Sequence, residues 1–157
     1  MVVLLRSLGI PARLVNGFAG GRANEFGGFV ELDGEAARPV APPTQIDLTV
    51  LVCVTTEGPK AVSSREGMDI TSKKSPYYGA WLTEAPRIHA ALKEALLRGD
   101  LETTCALAEE SALAMHATSI AATPGLIYWN GTTLEVLAEV RRLRAVGLGA
   151  YATIDAG

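Results

Sequence analysis

Two rhythms of apolar and polar positions divide the chain near residue 60. Before it, apolar residues come in short runs. Met1 to Leu8 is apolar at most positions, which predicts a short buried helix stopped by Gly9-Ile10-Pro11. Ala12 to Phe18 predicts a short strand, Ala19 to Glu25 a flexible loop, and Phe26 to Leu32 a second strand. Gly27-Gly28 in that strand permits close backbone approach. Asp33-Gly34-Glu35 is a turn signal, and the three prolines between Ala37 and Thr44 predict loop. Leu48 to Val54 is the strongest strand, a β-branched apolar run of the kind buried on both faces.

Beyond the polar turn Thr55 to Lys60 the spacing becomes helical. Glu66 to Lys74 predicts a short helix, and Pro76 to Arg98 a long one with Ile88, Ala91, Leu92, Ala95 and Leu96 on one face. Gly99 breaks it. Asp100 is placed to cap the next helix, which runs to about Met115. Thr123-Pro124-Gly125 is a further break. Asn130 or Thr132 can cap a last helix over Leu134 to Ala145, ended by Gly147, before a short strand at Ala150 to Ile154. Strands and helices are segregated along the chain, so the predicted class is α+β, an antiparallel sheet with a helical layer. The loop at 19 to 25 is the one seam the pattern offers.

Composition narrows the function classes. The 157 residues suffice for one domain with a core, and 48% hydrophobic with 20% charged residues is ordinary for a globular protein. A net charge of −3 with no basic patch argues against nucleic acid and anionic membrane as partners. No apolar run reaches the ~20 residues of a bilayer span, and the N-terminus lacks the charged region and cleavage site of a signal peptide, so a cytoplasmic location is expected. Cys53 and Cys105 stand far apart without ligand-spaced neighbours and are expected to be small buried hydrophobes.

Few residues invite chemistry. Ser63-Ser64-Arg65 joins two hydroxyls to a guanidinium, a combination suited to phosphate, especially at a helix start. The same residues also read as a serine N-cap beside a solvated arginine, which local sequence favours. Asp155, after an apolar strand, can orient or take a hydroxyl proton, or can be a turn aspartate. His116 can be a general base, although a hydrogen-bonded core histidine is the simpler reading. His89 reads as a surface helix residue. Tyr77, Tyr78, Trp81, Tyr128 and Trp129 read as packing aromatics, and Glu109-Glu110 as an exposed helix face. Neither a Walker loop nor a dinucleotide glycine pattern is present. Nothing in the chain predicts metal or cofactor ligands.

Taken together, Gly27 to Glu31, Val62-Ser63-Ser64-Arg65-Glu66-Gly67-Met68, Thr71 to Tyr77, Met115-His116-Ala117-Thr118, Tyr128-Trp129-Asn130 and Thr153-Ile154-Asp155-Ala156-Gly157 form an ordered set. The set resembles the C-terminal half of bacterial-type diphosphomevalonate decarboxylases, of the GHMP kinase superfamily, over residues 27 to 157. The resemblance implies a ferredoxin-like C-terminal lobe. It implies an isoprenoid-pathway enzyme that uses ATP and Mg²⁺ to phosphorylate the tertiary hydroxyl of 5-diphosphomevalonate. Loss of phosphate and CO₂ then yields isopentenyl diphosphate. By that resemblance Ser64 and Arg65 hold the diphosphate and carboxylate region, Met68 lines the pocket, and Asp155 sits by the tertiary hydroxyl. His116, Tyr128 and Trp129 become scaffold.

The departures set further expectations. The family's phosphate loop would lie upstream, and the lysine and tyrosine it carries near its N-terminus are missing. Arg22 stands one place out of the family's register. The family continues past Asp155-Ala156-Gly157. Residues 1 to 26 resemble instead a transglutaminase-like segment, Val2 to Phe18, without its cysteine, which removes thiol chemistry. The expected organisation is a join of two fragments near Phe26 to Phe29. The second fragment is a lobe with little or no activity alone, a small-molecule diphosphate as its ligand, and a second copy or an N-terminal lobe as its protein partner. A non-catalytic diphosphate-binding lobe and a transglutaminase-like remnant are the alternatives.

Overall fold

A computed structural model describes residues 2–6, 30–33, 36–39, 48–56 and 61–154. Its elements in chain order are β1 (Val2–Arg6), β2 (Val30–Asp33), β3 (Ala36–Pro39), β4 (Leu48–Val52), α1 (Ser64–Lys74), α2 (Tyr78–Leu97), α3 (Leu101–Ile120), α4 (Gly131–Ala145) and β5 (Ala150–Thr153). The main sheet has the order β4-β1-β5, antiparallel throughout. Val3 faces Leu51 on one side and Ala152 on the other, which makes β1 the central strand. β2 and β3 form a separate antiparallel ribbon.

Three elements differ from the sequence expectation. Residues 2–6 form a strand, not a helix. A run of four apolar residues ending in Arg6 fits a strand as well as a helix turn, and pairing on both edges decides it. The proline-rich stretch expected as loop begins with β3, in register with β2. β4 lies at the sheet edge, so the two-faced burial expected of it fails: Leu51 is 51% and Val52 59% exposed. The expected strand at Ala12 to Phe18 and the 19 to 25 loop lie outside the described residues.

The helices follow their local signals closely. Asp100 caps α3 by accepting from the Thr103 amide at 3.1 Å, and α3 runs on past Met115 to Ile120. Asn130 caps α4 in a reciprocal box: its Oδ1 accepts from the Thr133 amide at 2.9 Å while its own amide donates to Thr133 Oγ1 at 3.3 Å. Asn130 Nδ2 also donates to the Thr55 carbonyl at 2.8 Å and to Thr56 Oγ1 at 2.9 Å, which ties the cap to the segment after β4. α2 and α4 both end in paired backbone bonds, Gly99 N to Leu96 O with Asp100 N to Ala95 O, and Gly147 N to Arg144 O with Leu148 N to Leu143 O. Each needs a left-handed residue, and Gly99 (φ 74°) and Gly147 (φ 92°) supply it.

The core follows from the two faces of β5. Ala150, Ala152 and Ile154 pack with Leu137 and Val140 of α4, with Leu113 of α3 and Trp129 around them. The intervening Tyr151 packs with Leu48 of β4 and Cys105 of α3. Glu109, expected on an exposed helix face, is buried beneath this strand. Its Oε2 accepts from the Ala152 amide at 2.8 Å and from Arg144 Nη2 at 2.7 Å, while the Arg144 guanidinium lies 4.1 Å above the Tyr151 ring. A carboxylate can occupy this place because its Oε2 meets two donors, one of them charged.

Candidate functional site at the start of α1

Ser63 sits in extended backbone (φ −66°, ψ 154°) immediately before α1, and its hydroxyl accepts from the Glu66 amide at 3.2 Å. This is the cap expected from local sequence. It leaves Ser64 and Arg65 on the exposed first turn, at the positive end of the helix. Glu66 shares that turn and is also exposed. Met68 is half-buried on the same turn.

The turn is held from below. Gly67 is buried, and a Cβ there would overlap the Tyr128 hydroxyl and stand 3.2 Å from its Cζ and 3.5 Å from Leu126 Cδ1. Tyr128 therefore lies directly against the α1 backbone, its hydroxyl 3.5 Å from the Ser63 carbonyl oxygen, the long limit of a hydrogen bond. One turn on, the fully buried Thr71 donates to the Gly67 carbonyl oxygen at 2.7 Å and lies 3.2 Å from Ser119 Oγ on α3. The start of α1 is thereby fixed to both α3 and the segment before α4.

The path continues inward. Tyr128 meets His116 edge to face, with ring centroids 6.4 Å apart, and Trp129 lies 5.3 Å from the same imidazole. His116 is 1% exposed, and its Nε2 lies 3.0 Å from the Ile154 carbonyl oxygen. A carbonyl only accepts, so Nε2 carries the proton. The core-histidine reading holds. Ile154 is the last described residue, and Asp155 lies outside the described residues.

Other expectations resolve unevenly. Cys105 is buried, and that burial pushes its thiol from 9.0 up to about 11; Cys53 is half-buried. Tyr78 and Trp81 pack together, but Tyr77 is 61% exposed. His89 is exposed, as expected. Arg22 falls outside the described residues. The roles of Gly67, Thr71, Ser119 and Glu109 had no local signal, because each depends on a partner distant in sequence. A cavity of about 230 Å³ between Leu48, Cys105, Arg144, Leu148 and Tyr151 includes none of Ser64, Arg65 or Met68 in its lining. No helix among the described residues is long and apolar enough to cross a membrane. Also among the described residues, no group of three His, Cys, Asp or Glu side chains converges to hold a metal.

An antiparallel sheet backed by this helical layer, with a serine-capped helix over it, is an α+β lobe of the GHMP-kinase type. Residues 50–157 match the family described as mevalonate 5-diphosphate decarboxylase C-terminal domain, and the chain belongs to that family. Solved structures agree. Mevalonate diphosphate decarboxylase from Staphylococcus aureus is 35% identical with a TM-score of 0.62, over 66% of this chain and 31% of that one. The Streptococcus pyogenes enzyme is 32% identical with a TM-score of 0.63, over 66% and 33%. MDDEF in complex with MVAPP, AMPPCP and magnesium is 36% identical with a TM-score of 0.62, over 65% and 31%. The chain thus spans about a third of the length of these relatives. Among curated proteins none matches the chain.

Proposed function

We propose that this chain is the substrate-binding lobe of an ATP-dependent decarboxylase that converts 5-diphosphomevalonate to isopentenyl diphosphate, and that it is inactive on its own. The observation that carries this proposal is the packed path from Ser63 and Gly67 through Tyr128 and His116 to the Ile154 carbonyl. It joins the exposed Ser64-Arg65 turn to the residue preceding Asp155, the two ends that one substrate would bridge. The similarity to decarboxylases that bind MVAPP supports the same substrate here.

In this proposal Arg65 supplies a permanent charge and a planar fork to the diphosphate, Ser64 a hydroxyl, and the helix start a favourable dipole. Met68 lines the pocket. Asp155 orients the tertiary hydroxyl. When that oxygen leaves as phosphate, positive character builds at the tertiary carbon, and a fixed carboxylate there lowers the barrier electrostatically. Loss of CO₂ then places the electron pair of the broken C–C bond in the new double bond. ATP and Mg²⁺ are proposed as cofactors of the reaction on the similarity to a decarboxylase solved in complex with AMPPCP and magnesium. The division into a segment at 1–26 and a lobe at 27–157 is proposed on the same footing.

Calorimetry with 5-diphosphomevalonate tests the site. Arg65→Ala is expected to weaken binding roughly 10- to 100-fold, the effect of one or two charge-assisted hydrogen bonds. Equal binding by both proteins would remove the anion site. A coupled ADP-release assay tests the lobe assignment. Turnover by the purified chain would show that it carries its own nucleotide site, whereas binding without turnover fits a non-catalytic binding lobe.

A further inference from the structure

We propose that the cavity between β4, the start of α3 and the end of α4 is a second binding site, for a small uncharged molecule with an apolar body of about one ring and one hydroxyl-type group. It is independent of the role proposed for the α1 turn, since none of Ser64, Arg65 and Met68 lines it. Leu48, Leu101, Cys105 and Leu148 give it apolar walls. Its volume, about 230 Å³, lies between the ~150 Å³ that admits benzene and the ~300 Å³ at which pockets for drug-sized ligands begin. The mark of a ligand is Tyr151. It lines the cavity and is only 7% exposed, yet its hydroxyl has no hydrogen-bond partner among the described residues. A buried phenol ordinarily finds one. A hydroxyl-type ligand would supply it, because either group can donate to the other. Arg144 covers one face of the ring, 4.1 Å from its centroid, and holds the phenol in place. Each charge at the cavity is already met. Arg144 is paired with Glu109 at 2.7 Å, and Glu102 stands exposed on the first turn of α3, where the helix start offsets it. Burial keeps the Cys105 thiol neutral up to about 11. An ionic ligand would lose water here and gain no uncommitted counter-charge.

The test titrates the whole chain with four probes of one size, benzyl alcohol, toluene, benzoate and benzylamine, and follows backbone amide signals by nuclear magnetic resonance at neutral pH. Benzyl alcohol is expected to shift amides of 101–105 and 147–151, and to bind roughly tenfold more tightly than benzoate or benzylamine. Tyr151→Phe keeps the ring and removes the hydroxyl. It is expected to weaken benzyl alcohol roughly 3- to 10-fold, the effect of one neutral hydrogen bond, and to leave toluene unchanged. Leu148→Trp, at the half-buried rim, fills the space and is expected to abolish binding of both. Arg65→Ala is expected to bind benzyl alcohol as wild type does, which separates this site from the one proposed on α1. The assignment is overturned if wild type shows no shifts at these amides, if either charged probe binds as well as benzyl alcohol, or if Tyr151→Phe binds benzyl alcohol unchanged. Weakening by Arg65→Ala would equally overturn it as a separate site.

Discussion

At the scale of single residues, Gly67 is the most constrained position near the site. Its missing Cβ is the space into which the Tyr128 ring fits. Gly67→Ala is expected to cost about 1–3 kcal/mol by overpacking and to tilt the first turn of α1. Adding Tyr128→Phe removes the hydroxyl that overlaps and should restore part of the loss; denaturant titration of the single and double variants checks this. A double variant no better than Gly67→Ala would mean that the strain lies elsewhere. Cys105 offers a second residue-scale expectation. Burial raises its folded thiol from 9.0 to about 11, so the unfolded chain releases its proton first. This contribution to stability is whole below pH ~9 and declines as pH rises toward 11. Alkylation at mild alkaline pH should therefore reach half-buried Cys53 before Cys105, as peptide mapping would show.

At the scale of elements, the helices were readable because their signals are local. Asp100, Asn130 and Gly147 cap with atoms three to five residues away, and each does what its residue type does in isolation. β1 was not readable, since four apolar residues and an arginine carry no period and its partners lie some 45 and 150 positions onward. Glu109 was misread for the same reason: its partners come from α4 and β5. Of the candidate site, the N-cap and the buried histidine were legible, whereas the contact that holds α1 over Tyr128 was not. Asn130→Ala is expected to cost about 1–2 kcal/mol, the loss of a cap, read as a lower thermal midpoint. At Asp100 the Thr103 hydrogen bonds hold the carboxyl below its usual range. That cap is at full strength above the unfolded carboxyl value and is lost as pH falls through the lower folded value. Asp100→Asn should cap at all pH values, so the gap between it and wild type should change on acidification.

At the scale of the whole molecule, β1 joins β4 to β5 in one sheet. The family match begins at residue 50, yet the strand between β4 and β5 comes from residues 2–6. Deleting residues 1–26 is expected to separate β4 from β5 and abolish the single unfolding transition, followed by circular dichroism and calorimetry. A chain that unfolds as sharply without them would show that the helical layer alone organises the lobe.

The carboxylate of Glu109 has one more effect on the assembly as a whole. By claiming the Ala152 N–H, it satisfies a main-chain donor that burial has cut off from water. A buried acid thereby completes the strand's outer row of donors from a helix, and Glu109→Ala would leave that amide, and the Arg144 guanidinium beside it, short of an acceptor.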